Sequence, residues 1–238
     1  MGDKARRADV LSGPGHSSRA GLVRKTRRMR EEIERAPGPA TASGDLMRLF
    51  VAIAPPSAVL DELDARVEPF RARRFDLRWT NLAAWHVTLV FLGQVNEAAA
   101  AALLPPLKDA AQRHQQVRLA FAGAGAFPAA ERANVLWSGL SGDLGALAEL
   151  AESVAAGASC AGASPPDRGR RFQPHLTLAR CRTAADVTEL VAALGPYQGQ
   201  PWTADRLHLV CSRLGSTESP RYVSLASWPL RTPPAPPG

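Results

Sequence analysis

Two short stretches of the chain carry the residue types that proton transfer needs: His86-Val87-Thr88-Leu89 and His175-Leu176-Thr177-Leu178. In an extended strand residues i and i+2 share a face, so each imidazole lies beside its hydroxyl. Val87, Leu89, Leu176 and Leu178 take the opposite, core-facing side. A neutral imidazole takes a proton and a protonated one gives it to a leaving oxygen, while a neighbouring hydroxyl hydrogen-bonds a phosphate oxygen. Two such pairs point to metal-free phosphoryl chemistry, because the chain shows no clustered His, Asp or Glu at metal-ligand spacing. One His-x-Thr is a weak signal, since a strand histidine bonded to backbone is commonplace. Two copies among five histidines, each flanked by matching apolar residues, are a strong one. The other histidines lack a Thr two positions on: His16 lies near the N-terminus, His114 ends an Ala-rich helix where a cation suits the helix dipole, and His208 sits in an alternating strand.

The elements that must hold these motifs begin at Met47. The run MRLFVAIA reads as a strand, and the helix after it places Val59, Leu60, Leu63 and Val67 on one face. WHVTLVFLG follows as a strand stopped by Gly93, then a helix over 97–113, strands VRLAFAGAGAF and ANVLWSGL, and a helix N-capped by Asp143. After a Pro-, Gly- and Arg-rich loop at 162–173 come the strand HLTLARC, a helix over 184–194, one strand WTADRLHLVCS and the strand YVSLASW. Strands in adjacent pairs favour a mixed or antiparallel α+β layer over a doubly wound parallel sheet. The two halves echo each other, each with a His-x-Thr strand, a helix and paired strands. Gly123-Ala124-Gly125 does not open a helix, so it reads as a turn or bulge.

Length and composition set the frame. The chain has 238 residues, weighs 25.3 kDa and is 45% apolar, enough to bury a core in one large or two small domains. Residues 1–45 read as a disordered basic arm, 46–231 as the folded domain and 232–238 as a Pro-rich tail. Lys plus Arg number 29 against 22 Asp plus Glu, a net charge of +7, which favours anionic partners such as phosphate or nucleic acid. Cys160, Cys181 and Cys211 are widely spaced, which excludes a disulfide scaffold and a zinc ribbon and suits a reducing compartment. No apolar run reaches membrane-helix length and no secretory h-region is present, so the expectation is a soluble cytoplasmic protein.

The two motifs do not stand alone. With RLFVAIAPP upstream, RW before WHVTLVFLG, GAGAFP followed by VLWSGL, FQPHLTLAR, and S-R-L-G before YVSLASWPL, the chain over about 46–230 resembles the two-histidine phosphoesterase superfamily. Within it the pattern is similar to the RNA 2′,3′-cyclic phosphodiesterases, also called 2′-5′ RNA ligases. The resemblance implies a bilobal α+β fold, with two pseudo-symmetric lobes of mostly antiparallel sheet around a central cleft. It implies hydrolysis of a terminal 2′,3′-cyclic phosphate to a 2′-phosphate without metal or other cofactor, with His86 as proton donor and His175 as proton acceptor. Thr88 and Thr177 then hold phosphate oxygens. The residues themselves leave open which histidine is acid and which is base.

Four features stay open at this level. Arg180 closes the HLTLAR run, yet strict alternation turns it away from His175, so phosphate contact needs a twist or bulge; the alternative is a surface ion pair. Phe50 is either a base-stacking ring or a core residue. Arg168, Arg170 and Arg171 form either an RNA-backbone contact or a solvated connection. The segment Asn81–Trp85 lacks the Pro-rich turn often seen before the first motif. The expected partner is RNA with a cyclic-phosphate end or a cyclic nucleotide, met by a monomer that touches no membrane. Two other readings are a related enzyme acting on a small cyclic nucleotide or a 2′-5′ oligoadenylate, and an inactive RNA-binding module.

Overall fold

The computed structural model describes residues 46–163, 172–212 and 222–233. Its elements run β1 (Met47–Ile53), α1 (Ser57–Arg71), β2 (Leu77–Trp79), β3 (Val87–Val95), α2 (Glu97–Arg113), β4 (Val117–Phe127), β5 (Ala133–Gly142), α3 (Leu144–Cys160), β6 (His175–Ala185), α4 (Thr188–Leu194), β7 (Trp202–Ala204), β8 (Arg206–Ser212) and β9 (Tyr222–Pro229). The strands join in one antiparallel sheet of order β7-β4-β5-β6-β3-β1-β8-β9, with β2 added to β6. The result is the expected α+β fold of two lobes: β1, β3, β8 and β9 make one, and β4 to β7 the other. They meet where β3 pairs with β6, Val87 opposite Leu176.

Chain connectivity forces the sheet to curl. Only Asp205 separates β7, at one end of the order, from β8, one strand short of the other end. The ends are stitched by the Leu230 N–H to the Asp205 carbonyl at 2.8 Å and the Gln116 N–H to the Arg231 carbonyl at 2.9 Å. The helices bury apolar stripes against the sheet and each other: Val59, Leu60, Leu63 and Val67 on α1, Leu103 and Leu107 on α2, Leu147, Leu150 and Val154 on α3. Asn96 caps α2, its side-chain oxygen accepting the Ala99 N–H at 2.8 Å.

Several boundaries differ from the sequence reading, each for a local reason. The segment 202–212 is two strands, because Asp205 sits where the chain passes from one lobe to the other. β3 runs through Gly93, whose φ of +75° is accommodated at a register shift opposite Leu49, so the glycine bends the strand instead of ending it. The last helix starts at Thr188, four residues late, because β6 continues to Ala185. Asp143 stands at the N-cap of α3, but its carboxylate accepts the Arg118 N–H at 3.3 Å and caps no helical N–H. His114 is tied through Nε2 to the Ser153 hydroxyl at 2.7 Å, and burial lowers its pKa, so a neutral ring replaces the expected dipole-facing cation. Residues 1–45, the Arg168–Arg171 loop and the tail from 234 lie outside the described residues. Among the described residues no helix is long and apolar enough to cross a membrane.

The glycine pair in β4 has a packing role. Gly123, at φ +67°, sits in a register shift between Phe121 and Ala124, which is the bulge the sequence allowed. Gly125 then leaves bare backbone on which the indole of its cross-strand partner Trp137 lies, and a Cβ there would run into the indole ring. Gly125→Ala should therefore cost about 1–3 kcal/mol, as overpacking does, and turn Trp137 outward. A lower melting temperature with a red-shifted tryptophan emission is the expected result; an unchanged melting curve and spectrum would refute the packing argument.

Candidate active site

The pairing of Val87 with Leu176 sets the site. Both side chains are fully buried, and carrying the register one residue either way puts His86 across from Thr177 and Thr88 across from His175. Leu89 and Leu178 are likewise buried while the two His and two Thr are only part-buried, so the alternation read from sequence holds at both motifs. The four polar side chains form one square patch on the inner face of the curled sheet.

Each imidazole is anchored in the same way. His86 Nδ1 lies 2.8 Å from the carbonyl of Ala84, and His175 Nδ1 lies 2.8 Å from the carbonyl of Gln173, two residues upstream in both cases. A carbonyl only accepts, so Nδ1 carries the proton in both neutral rings and Nε2 is left with a free lone pair. The first anchor depends on a 3₁₀ turn, Leu82–Ala84, capped by Asn81, whose side-chain oxygen accepts the Ala83 N–H at 2.9 Å. Trp85 holds the turn down from the core at 5% exposure, with the Arg71 guanidinium 5.8 Å from its ring.

Aromatic rings back both histidines. Phe50 stacks on His86 with centroids 4.7 Å apart and planes 26° apart, and Tyr222 meets the same imidazole edge-on at 5.1 Å. Phe50 is only 3% exposed, its ring largely covered by this packing. In the other lobe Phe127 approaches His175 edge-on at 5.0 Å, and Trp137 lies 6.1 Å away. A pocket beside His86 is lined by Phe50, Ala84, Trp85, His208, Val210 and Tyr222 among others. Tyr222, Phe127 and Trp137 received no role from the sequence, although YVSLASW, GAGAFP and VLWSGL were noted as runs; their signal is position beside a motif strand, visible only once pairing is known.

Arg180 reaches the patch through a bulge. Leu136 pairs with Ala179 but Trp137 pairs with Thr177, so β6 carries one extra residue between them. Leu178 and Ala179 are both fully buried in succession, which reverses the alternation and returns Arg180 to the side of His175 and Thr177. Its charge is felt by both rings. Burial is the main cause that lowers the His86 pKa from 6.5 to about 4; the Ala84 hydrogen bond opposes this, and the charges of His175 and Arg180 add to it. Burial likewise lowers His175, opposed by the Gln173 hydrogen bond and reinforced by Arg180. Among the described residues no group of three or more His, Cys, Asp or Glu is placed to hold a metal ion.

A curled two-lobed sheet with a His-x-Thr on each central strand is the architecture of a two-histidine phosphoesterase. A family model described as the 2′-5′ RNA ligase superfamily matches residues 59–215, and the chain belongs to that superfamily. It is 36% identical over 110 residues to an RNA 2′,3′-cyclic phosphodiesterase of Aeropyrum pernix, covering 46% of this chain and 60% of that protein. It is 31% identical over 149 residues to one of Archaeoglobus fulgidus, covering 61% and 79%. In the Aeropyrum pernix and Aquifex aeolicus relatives the match spans under two thirds of their own length, 60% and 56%. Among solved structures, the protein TT0787 of Thermus thermophilus superposes with a TM-score of 0.62 at 28% identity, over 78% of this chain and 99% of that one. E. coli LigT, solved with 3′-AMP, shares the fold at a TM-score of 0.61 and 24% identity, over 78% and 99%.

The depressed imidazoles make a titration prediction. In the free protein, NMR should show His86 titrating near pH 4 and His175 below 6.5, with both raised by inorganic phosphate. Since the folded value of His86 lies below its unfolded value, stability is complete above about pH 6.5 and is lost as the pH falls toward 4. The melting temperature should drop across that window. A His86 that titrates at its ordinary value would contradict the buried, carbonyl-anchored ring.

Proposed function

We propose that the chain is an RNA 2′,3′-cyclic phosphodiesterase that opens a terminal cyclic phosphate to a 2′-phosphate by metal-independent acid–base catalysis. The observation that carries this reading is the matched pair of anchored imidazoles, which leaves two Nε2 atoms facing one patch bordered by two hydroxyls and a guanidinium. The relatives' names supply the substrate class.

In the reaction, neutral His175 Nε2 takes a proton from water as the water oxygen bonds to phosphorus. The P–O3′ bond breaks, and protonated His86 Nε2 delivers a proton to the departing 3′-oxygen, leaving a 2′-phosphate and a 3′-hydroxyl. Thr88, Thr177 and Arg180 hold the non-bridging oxygens, where charge accumulates. A ribose 5′-hydroxyl in place of water gives a 2′-5′ linkage by the same transfers. The donor and acceptor assignment follows the family resemblance; the free site by itself favours a neutral ring at both positions. Protonation of His86 is therefore coupled to arrival of the anionic cyclic phosphate, whose charge offsets Arg180 and the cost of burial. Phe50 holds His86 from behind, and its π face favours the imidazolium once formed.

Turnover of 2′,3′-cyclic AMP should survive EDTA, and His86→Ala or His175→Ala should each lower kcat by about 10²- to 10⁴-fold with the fold intact. Loss of activity on chelation, restored by zinc or manganese, would overturn the mechanism. Both kcat/KM and kcat should be bell-shaped in pH. The kcat profile should extend to higher pH than the kcat/KM profile, because bound phosphate raises the donor pKa. Coincident profiles would show that substrate does not charge the donor.

A further inference from the structure

Arg180 has a neighbour of the same charge. β2 pairs with β6 so that Arg78 stands directly opposite Arg180, between Leu77 opposite Cys181 and Trp79 opposite Ala179. Directly opposed residues of an antiparallel pair project to the same side, so Arg78 shares the face that the β6 bulge gives Arg180. Both side chains are exposed. Among the described residues no acid pairs with either: Asp76, the nearest acid on that segment, is taken by Arg74 through Nε at 2.8 Å and Nη2 at 2.7 Å. Like charges directly opposite each other on adjacent strands destabilise a sheet unless an anion lies between them. The pair also lies on the same face of β6 as His175 and Thr177. β6 carries His175 and Thr177 on the site face, and past the bulge Arg180, with Arg78 beside it on the neighbouring strand.

We propose that Arg78, paired with Arg180, forms a second phosphate subsite that takes the backbone phosphodiester next to the terminal cyclic phosphate of an RNA chain. This rests on the cyclic phosphodiesterase reading and adds to it a reason for an oligomer to be a better substrate than a mononucleotide. The fork of a guanidinium suits a diester with two free oxygens, and Arg180 stands between the two phosphates and serves both. A cyclic mononucleotide lacks the second phosphate and leaves Arg78 idle.

The test compares wild type, Arg78→Gln and Arg78→Lys on two ligands. One is 2′,3′-cyclic AMP, followed by turnover. The other is a short RNA, whose terminal 2′,3′-cyclic phosphate is hydrolysed in the turnover arm and which is bound, by fluorescence anisotropy, when it ends in the 2′-phosphate product. Arg78→Gln should weaken binding of the RNA and its kcat/KM about ten-fold, mainly through KM, and reduce the logarithmic salt slope of binding by about 0.7. Turnover of 2′,3′-cyclic AMP should stay within about two-fold. Arg78→Lys should restore the salt slope but only part of the affinity. Equal losses on both ligands, or RNA binding of unchanged strength and salt slope, would overturn the subsite. If wild type turns over neither substrate while Arg78→Gln still weakens RNA binding, the subsite stands and the catalytic reading falls.

Discussion

The backbone pairing of Val87 with Leu176 is the constraint from which the site follows. It joins two half-sheets of the same construction at the middle residue of each His-x-Thr, so the two motifs meet by symmetry rather than by a chance approach of loops. A slip of one residue on either strand would turn that strand's His and Thr into the core and its leucine or valine into the cleft. The fully buried Val87, Leu176 and Leu178 resist this, because each would have to leave the apolar interior. The curl of the sheet, held where the chain passes between lobes at Asp205, then brings the aromatic rings of both lobes around the seam.

What was legible in the sequence follows from this geometry. Alternation with period two is a local property, so the motif faces, the buried stripe of α1 and most strand positions could be read directly. Arg180 could not, because a bulge changes the phase of the alternation and depends on how β5 and β6 pair, not on β6 alone. The same holds for 202–212, whose continuous strand pattern hides a change of lobe at a single residue. Phe50 shows a further limit. Its type and its place on the first strand fit a base-stacking ring and a core residue alike, and only the position of His86 in space gives it a partner.

The anchors of the two imidazoles left no trace in the sequence, since any residue supplies a carbonyl. Ala84 and Gln173 have nothing in common except their place two residues before a histidine. What the sequence does carry is the support for one of them: Asn81 is a residue type that closes a short turn, and the turn it closes presents the Ala84 carbonyl. An anchor made from backbone is as rigid as the fold itself, so both rings are held in one orientation.

The choice of a carbonyl over a carboxylate has an electrostatic consequence. A carboxylate on Nδ1 would stabilise the imidazolium and keep the ring poised to ionise near neutral pH, as in catalytic triads. A carbonyl orients the ring with far less charge, and here burial and Arg180 outweigh it, so His86 is pushed well below its ordinary range. Among the described residues the inner face thus brings together a fixed cation, two imidazoles whose charged form is disfavoured, and two hydroxyls. An anion settling against this surface would offset Arg180 and the cost of burial, and so raise the His86 pKa.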